Sequence, residues 1–204
     1  KWKTLLRFPQ VWCFIMVRFF GDPIGYFFWA WLPSYLVSEK GFSFEEMGQS
    51  VWIPYVIQMS GMIVGGYFTG QLIQRGMSPI LARKWGITIP LILFPIALFS
   101  VSASSMSIVI LTTSCATFGL GVWGANYNAA VMDSVPQRVV GTVAGLAGTA
   151  GVISSVLVTW FTGYAADHQA YLSVFLLNIV LISLSIGAPW ILLRRPINEA
   201  QELT

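Results

Sequence analysis

Six long apolar stretches, at roughly residues 11 to 37, 49 to 73, 85 to 104, 107 to 132, 139 to 165 and 171 to 193, leave this 204-residue chain little choice of fold. A hydrocarbon core about 30 Å thick takes about 20 apolar residues of helix to cross, and every stretch is that long. Inside lipid all backbone N–H and C=O groups must pair within the chain, so only helices and closed barrels span it. Barrel strands alternate apolar and polar residues over about ten positions, whereas these runs are continuous. An all-α membrane protein of six transmembrane helices is therefore expected. The connectors "SEKGFSFEEMGQ", "QRGMSPILARK", "SASSMS", "DSVPQR" and "ADHQA" carry the breakers that separate the helices. Composition agrees: only 9% of the residues are charged and mean hydropathy is +0.73, against about 25% charged in a soluble domain.

Basic residues predict the orientation, because cytoplasmic loops carry the excess of Lys and Arg. Lys1, Lys3 and Arg7 precede the first stretch; Arg75, Arg83 and Lys84 lie between the second and third; Arg138 follows the fourth, and Arg194 and Arg195 the sixth. Threading six helices puts all of these on one side. The other side holds Lys40 with Glu39, Glu45, Glu46 and Asp167. Both termini are thus expected in the cytoplasm, and the net charge of +3 marks a basic membrane edge, with the bilayer and not nucleic acid as its partner. Cys13 and Cys115 fall in apolar runs and read as small hydrophobes. No metal or cofactor pattern is present. The chain begins with Lys1 and shows no signal-peptide pattern, so a piece of a longer chain is expected. Six helices also divide into two oppositely oriented groups of three, the parity that inverted-repeat transporters use.

The segment "RFFGDPIGYFFWAWLPSYL" carries two opposite charges through an apolar run. On a helix Arg18, Asp22, Tyr26 and Trp29 recur at intervals of four, four and three and share one stripe. At 1.5 Å per residue from a boundary near residue 11, Arg18 lies about 10 Å deep and Asp22 about 16 Å. Charges at that depth are expected to face protein or a water-filled cavity. Pro23 is expected to disrupt the preceding turn and free a carbonyl near residue 19. Two readings stay open: Arg18 and Asp22 neutralise each other as a structural pair, or Arg18 holds a carboxylate with two parallel hydrogen bonds while Asp22 exchanges a proton. Tyr26 and Trp29 offer flat faces with polar edges to a sugar-like ring.

In the fourth stretch Trp123 and Asn126 are three apart and share a face, with Asn128 expected to point elsewhere. A buried Asn126 either meets hydroxyls or locks helices together. Gln58, at mid-depth in the second stretch, and Tyr55, three residues earlier, are further candidates. Gly141, Gly145, Gly148 and Gly151 line one face of the fifth helix, where small residues admit a close neighbour; "MIVGGYFTG", with Gly61, Gly65 and Gly66, is the expected partner.

The runs "YFTGQLIQRG" after Gly65 and Gly66, "ARK", and "WGANYNAAVMDSVPQRVVGTVAGLAGTAGVISS" resemble the carboxy-terminal six helices of a major facilitator superfamily transporter. Within that superfamily the chain resembles the anion:cation symporter family, and the basic residue, Asp-Pro, aromatics and "WLPSYL" are most similar to its hexuronate transporters. The resemblance implies one domain over 1–204, a missing amino-terminal six-helix half, alternating access, and symport of a small organic anion with a proton or sodium ion across a bacterial inner membrane. Arg18, Asp22, Trp29 and Pro33 fit the family's seventh-helix pattern, and Trp123, Asn126, Asp133 and Pro136 its tenth. Two positions depart from it. Gly70 stands where members often carry a loop aspartate, so gating is expected to use Arg75 or Arg83 differently, and Gly148 lacks the asparagine of relatives that carry other sugar acids. The alternatives are a channel or non-transporting membrane partner, with a purely structural Arg18–Asp22 pair, and an intramembrane protease. The last needs a buried Ser–His pair, yet the single histidine, His168, falls in an outer loop, so no enzyme is expected.

Overall fold

Each breaker in the connectors ends a helix in the computed structural model, which describes residues 2–197. Six spans result: Pro9–Glu39, Phe44–Gln74, Pro79–Ser102, Met106–Ser134, Gln137–Asp167 and Tyr171–Leu192, each long and apolar enough to cross a membrane. Lys1 and the side chain of Lys3, counted above toward the basic edge, lie outside the described residues.

The second and third spans begin five and six residues earlier than the apolar pattern predicts. Ser43 and Glu46 form a reciprocal cap, Glu46 N–H donating to Ser43 Oγ at 3.2 Å and Ser43 N–H to the Glu46 carboxylate at 2.9 Å. This cap holds a polar first turn that hydropathy alone misses. Pro79, whose missing N–H is no loss in a first turn, opens the third span. That span is less regular further on, where Pro90 and Pro95 divide it into short pieces.

Pro23 does not break the first span. The α-helix runs unbroken from Pro9 to Tyr26, and the irregularity falls one turn later, in wider π-helical turns at Phe27–Trp31 and Tyr35–Glu39 that flank Leu32–Ser34. Such turns concentrate at functional sites. Aromatic rings fill the space beside them: Phe27 meets Phe28 and Phe175 edge-on at 5.3 Å, and Phe28 meets Phe94 at 5.9 Å. The end of the span is fastened by Lys40, whose Nζ donates to the carbonyls of Val101 and Ala103 at 2.6 and 2.9 Å. Burial there holds its amine below the ordinary lysine range.

The first span packs on the fifth and sixth, and the second on the fourth. The glycines decide the second pairing. A Cβ added at Gly61 would meet the Phe118 backbone, one at Gly65 would meet Val122, and one at Gly121 would meet the Gln58 backbone. The backbones therefore approach so closely that only hydrogen fits. Thr117 Oγ1 donates to the Pro54 carbonyl across the same seam at 2.8 Å. The expected pairing of Gly61 and Gly65 with the fifth-span glycines does not form. Gly141, Gly145 and Gly148 have nothing within 4 Å of an added Cβ, and only Gly151 of that stripe abuts a neighbour, Asp22.

The starts of the first and third spans and the ends of the fourth and sixth come together. Gln10 Nε2 donates to the Arg195 carbonyl at 3.0 Å, Trp190 Nε1 to Thr88 Oγ1 at 3.1 Å, and Ile197 N–H to the Ser134 carbonyl at 2.9 Å. The bundle thus carries Arg7, Arg83, Lys84, Arg194 and Arg195 toward one edge, with Lys40 and the acidic turn at Glu45 and Glu46 toward the other.

Candidate functional site

Between the first, second and fourth spans lies a cavity of about 240 Å³ whose walls carry most of the polar residues singled out above. Arg18, Asp22, Tyr26 and Trp29 form one wall, as their helical spacing predicts, because 18 through 26 lie in unbroken α-helix. Gln58 and Trp123 face them. Gly21, Gly25, Gly121 and Gly124 also line the space, so that backbone replaces side-chain bulk.

Arg18 Nε stands 2.7 Å from Asp22 Oδ2, a contact with the distance of an ion pair but without hydrogen-bond alignment. The Asp22 side chain is only 9% exposed and that of Arg18 is 32% exposed. The aspartate is thus sealed against the helix, with Gly151 of the fifth span closing over it, while the guanidinium opens into the cavity. The Arg18 guanidinium also lies 5.5 Å above the Tyr127 ring, which stacks on Trp123 at 5.8 Å and 17°. Trp123 is itself aimed by a relay: its Nε1 donates to Ser185 Oγ at 3.2 Å, and that hydroxyl donates to the Val17 carbonyl at 2.9 Å. Spans one, four and six are thereby tied together at the residue next to Arg18. Further along the Arg18 wall, Trp29 Nε1 donates across the cavity to Gln58 Oε1 at 3.4 Å, and Tyr26 meets Trp29 edge-on at 5.7 Å.

Two expected residues do other work. Asn126 is fully buried away from the cavity. Its Oδ1 accepts from Thr69 at 2.7 Å, and its Nδ2 donates to the Val122 and Gly65 carbonyls at 2.9 and 3.3 Å. It locks the second and fourth spans together. Asn128 lines the cavity in its place. At 3.6 residues per turn Asn128 follows Leu120 and Gly124 at intervals of four, whereas Asn126 sits about 160° around the helix. Tyr55 is not part of the cavity lining either. Its hydroxyl donates to the Phe28 carbonyl at 3.0 Å. In a π-helical register that carbonyl would be served by residue 33, which is proline and has no N–H, so Tyr55 supplies the missing donor.

Of the two arginines expected at a gate, Arg83 pairs with Asp133, Nε to Oδ2 at 2.9 Å, and its Nη1 donates to Thr69 Oγ1 at 2.7 Å. Thr69 passes the connection to Asn126, so one polar chain crosses the third, second and fourth spans at the basic edge. Arg75 is exposed at the end of the second span, on the same side. Gly70, where an aspartate was expected from the resemblance, has no atom within 4 Å of an added Cβ, and neither has Gly148.

The sequence reading passes over Tyr127 and Ser185, takes Gly151 for helix packing alone, and turns Asn128 away from the site. Tyr127 had a usable signal, four residues beyond Trp123 on the same stripe. Ser185 had none, because its role depends on a contact 62 residues away along the chain.

Comparison with known proteins adds what geometry cannot. The family profile described as Major Facilitator Superfamily matches residues 1–159. The probable galactarate/D-glucarate transporter GarP of Escherichia coli (strain K12) is 32% identical over 151 residues, 74% of this chain and 34% of that protein. The probable L-galactonate transporter of the same strain is 29% identical over 215 residues, 99% of this chain and 45% of the relative. The hexuronate transporter of Bacillus subtilis (strain 168) is 32% identical over 185 residues, 85% of this chain and 40% of the relative. The chain therefore spans less than half the length of each of these relatives.

Proposed function

The chain belongs to the Major Facilitator Superfamily, and from that membership we propose that it supplies the carboxy-terminal half of a secondary transporter for an organic anion, a hexuronate or related sugar acid. The observation that carries this reading is a partly exposed guanidinium opening into an aromatic-walled cavity at mid-span. Asp22 meets Arg18 through Nε, which leaves the terminal amino groups of the guanidinium to take a substrate carboxylate in the paired geometry that arginine favours. The pair with Asp22 is the resting state, and the arriving carboxylate competes for the same cation. Tyr26 and Trp29 flank the sugar ring, with Gln58 and Asn128 as hydroxyl partners. The relatives named as transporters of galactarate, galactonate and hexuronates support this substrate class.

On this reading the missing amino-terminal six helices complete the translocation path, and the two halves rock about the site in alternating access. A proton or sodium ion moves with the substrate. The Arg83–Asp133 pair closes the basic edge, which lies in the cytoplasm by the distribution of Lys and Arg, and Arg75 stands at the same edge. The bacterial inner membrane is the location most consistent with the relatives from Escherichia coli and Bacillus subtilis.

The test is uptake. Vesicles carrying the full-length protein are expected to accumulate radiolabelled glucuronate saturably, and faster when a proton or sodium gradient is imposed. Absence of saturable uptake for glucuronate, galactarate and galactonate alike would overturn the proposal.

A further inference from the structure

Lys84, 8% exposed, is the one buried lysine or arginine among the described residues. It lies in the first turns of the third span, which contributes no residue to the cavity lining. Its Nζ stands 5.4 Å from the centroid of the Trp190 ring on the sixth span. That ring is held in place: Trp190 Nε1 donates to Thr88 Oγ1 at 3.1 Å, Thr88 Oγ1 donates to the Lys84 carbonyl at 2.8 Å, and Trp85 meets Trp190 edge-on at 5.4 Å. Arg194, exposed just past the end of the sixth span and four residues beyond Trp190, adds a second positive charge at the same edge. Among the described residues no aspartate or glutamate pairs with either one.

Lys84 thus buries its stem and carries its ammonium at the rim of a membrane span beside one aromatic face, which offsets only part of an unneutralised charge there. The site therefore lacks a counter-charge. The surroundings indicate its chemistry. Trp85 and Trp190 are 48% and 40% exposed, and Ile191 beside them is 65% exposed. Tryptophan pairs of this kind sit at the level of lipid headgroups, and the exposed aliphatic surface continues from them toward the bilayer centre at Ile92, 75% exposed, and Leu184, 47% exposed. A ligand that fits has a negative headgroup joined to long apolar chains. Basic pockets between transmembrane helices take such lipids.

We propose that Lys84, Arg194 and the Trp85–Trp190 pair form a headgroup site for an anionic glycerophospholipid in the leaflet at the basic edge of the bundle. The lipid phosphate lies between the ammonium and the guanidinium, and the acyl chains follow the seam between the third and sixth spans. The bound lipid holds these two spans together beside the Thr88–Trp190 hydrogen bond.

Native mass spectrometry of the full-length protein, delipidated and then titrated with phosphatidylglycerol or phosphatidylcholine of equal chain length, tests this. Each basic residue near a lipid surface contributes about fivefold in affinity, so phosphatidylglycerol is expected to bind about 25-fold more tightly. Arg194→Gln, at an exposed helix end where folding is undisturbed, is expected to reduce that preference about fivefold, and Lys84→Gln with Arg194→Gln to remove it. Equal binding of the two lipids, or a preference that survives both substitutions, would overturn the proposal. So would displacement of phosphatidylglycerol by millimolar inorganic phosphate, which would assign the site to a free anion.

Discussion

Replacing Arg18 by alanine in the full-length protein is expected to weaken sugar-acid binding about 100-fold or more. Two charge-assisted hydrogen bonds to one carboxylate are each worth about 1.5 kcal/mol, and about 3 kcal/mol corresponds to a factor of about 100. The substitution also leaves the Asp22 carboxylate sealed beneath Gly151 without its cation, which is destabilising for a buried charge. Arg18→Lys separates the two effects. Lysine restores a positive charge beside Asp22 but presents a point charge in place of a planar fork. Its affinity is expected to fall between wild type and Arg18→Ala, with folding preserved. Equilibrium binding of glucuronate to all three proteins provides the check. Wild-type affinity in Arg18→Ala would leave the pair with a structural role alone.

The largest expected effect on folding comes from Gly121→Val. A side chain at Gly121 runs into the Gln58 backbone of the second span, and backbone cannot turn aside as a flexible side chain can. Overpacking of this kind costs about 1 to 3 kcal/mol. The forced separation also stretches the Thr117–Pro54 and Asn126–Gly65 hydrogen bonds across the same seam, each worth about 1 kcal/mol. The sum is a large part of a total stability of about 5 to 15 kcal/mol. A melting curve of the full-length protein in detergent is expected to drop by many degrees or to show no folded protein. Gly187→Ala in the sixth span, where an added Cβ meets nothing within 4 Å, is the control and is expected to melt as wild type. An unchanged melting temperature for Gly121→Val would contradict the close approach of the two backbones.

The first wall of the cavity was legible from spacing alone, because residues 18 to 26 lie in regular helix and the rule of three and four applies without correction. That rule failed where the helix is irregular or where two faces compete. Tyr55 looked like a site residue until the π-helical turns placed proline opposite the Phe28 carbonyl, and no apolar pattern announces such a register. Asn128 and not Asn126 borders the cavity because the lining follows the row Leu120, Gly124 and Asn128 as well as Trp123. Its neighbour at three points to the second span, while the residue five further on borders the cavity. Glycine spacing identified faces that admit close contact, but not which face meets which. The closest approach chose the fourth span as partner for Gly61 and Gly65. Lys84 read as one more basic residue at an edge, since its burial depends on Trp190 arriving from the other end of the chain.

The central claim is that a carboxylate is read by Arg18 in this cavity, and the most direct measurement is a matched pair of ligands that differ in that group alone. Purified full-length protein titrated with glucuronate and with glucose is expected to bind the acid at least about tenfold more tightly, since one charge-assisted hydrogen bond is worth about 1.5 kcal/mol. Equal affinity for the acid and the neutral sugar would contradict it.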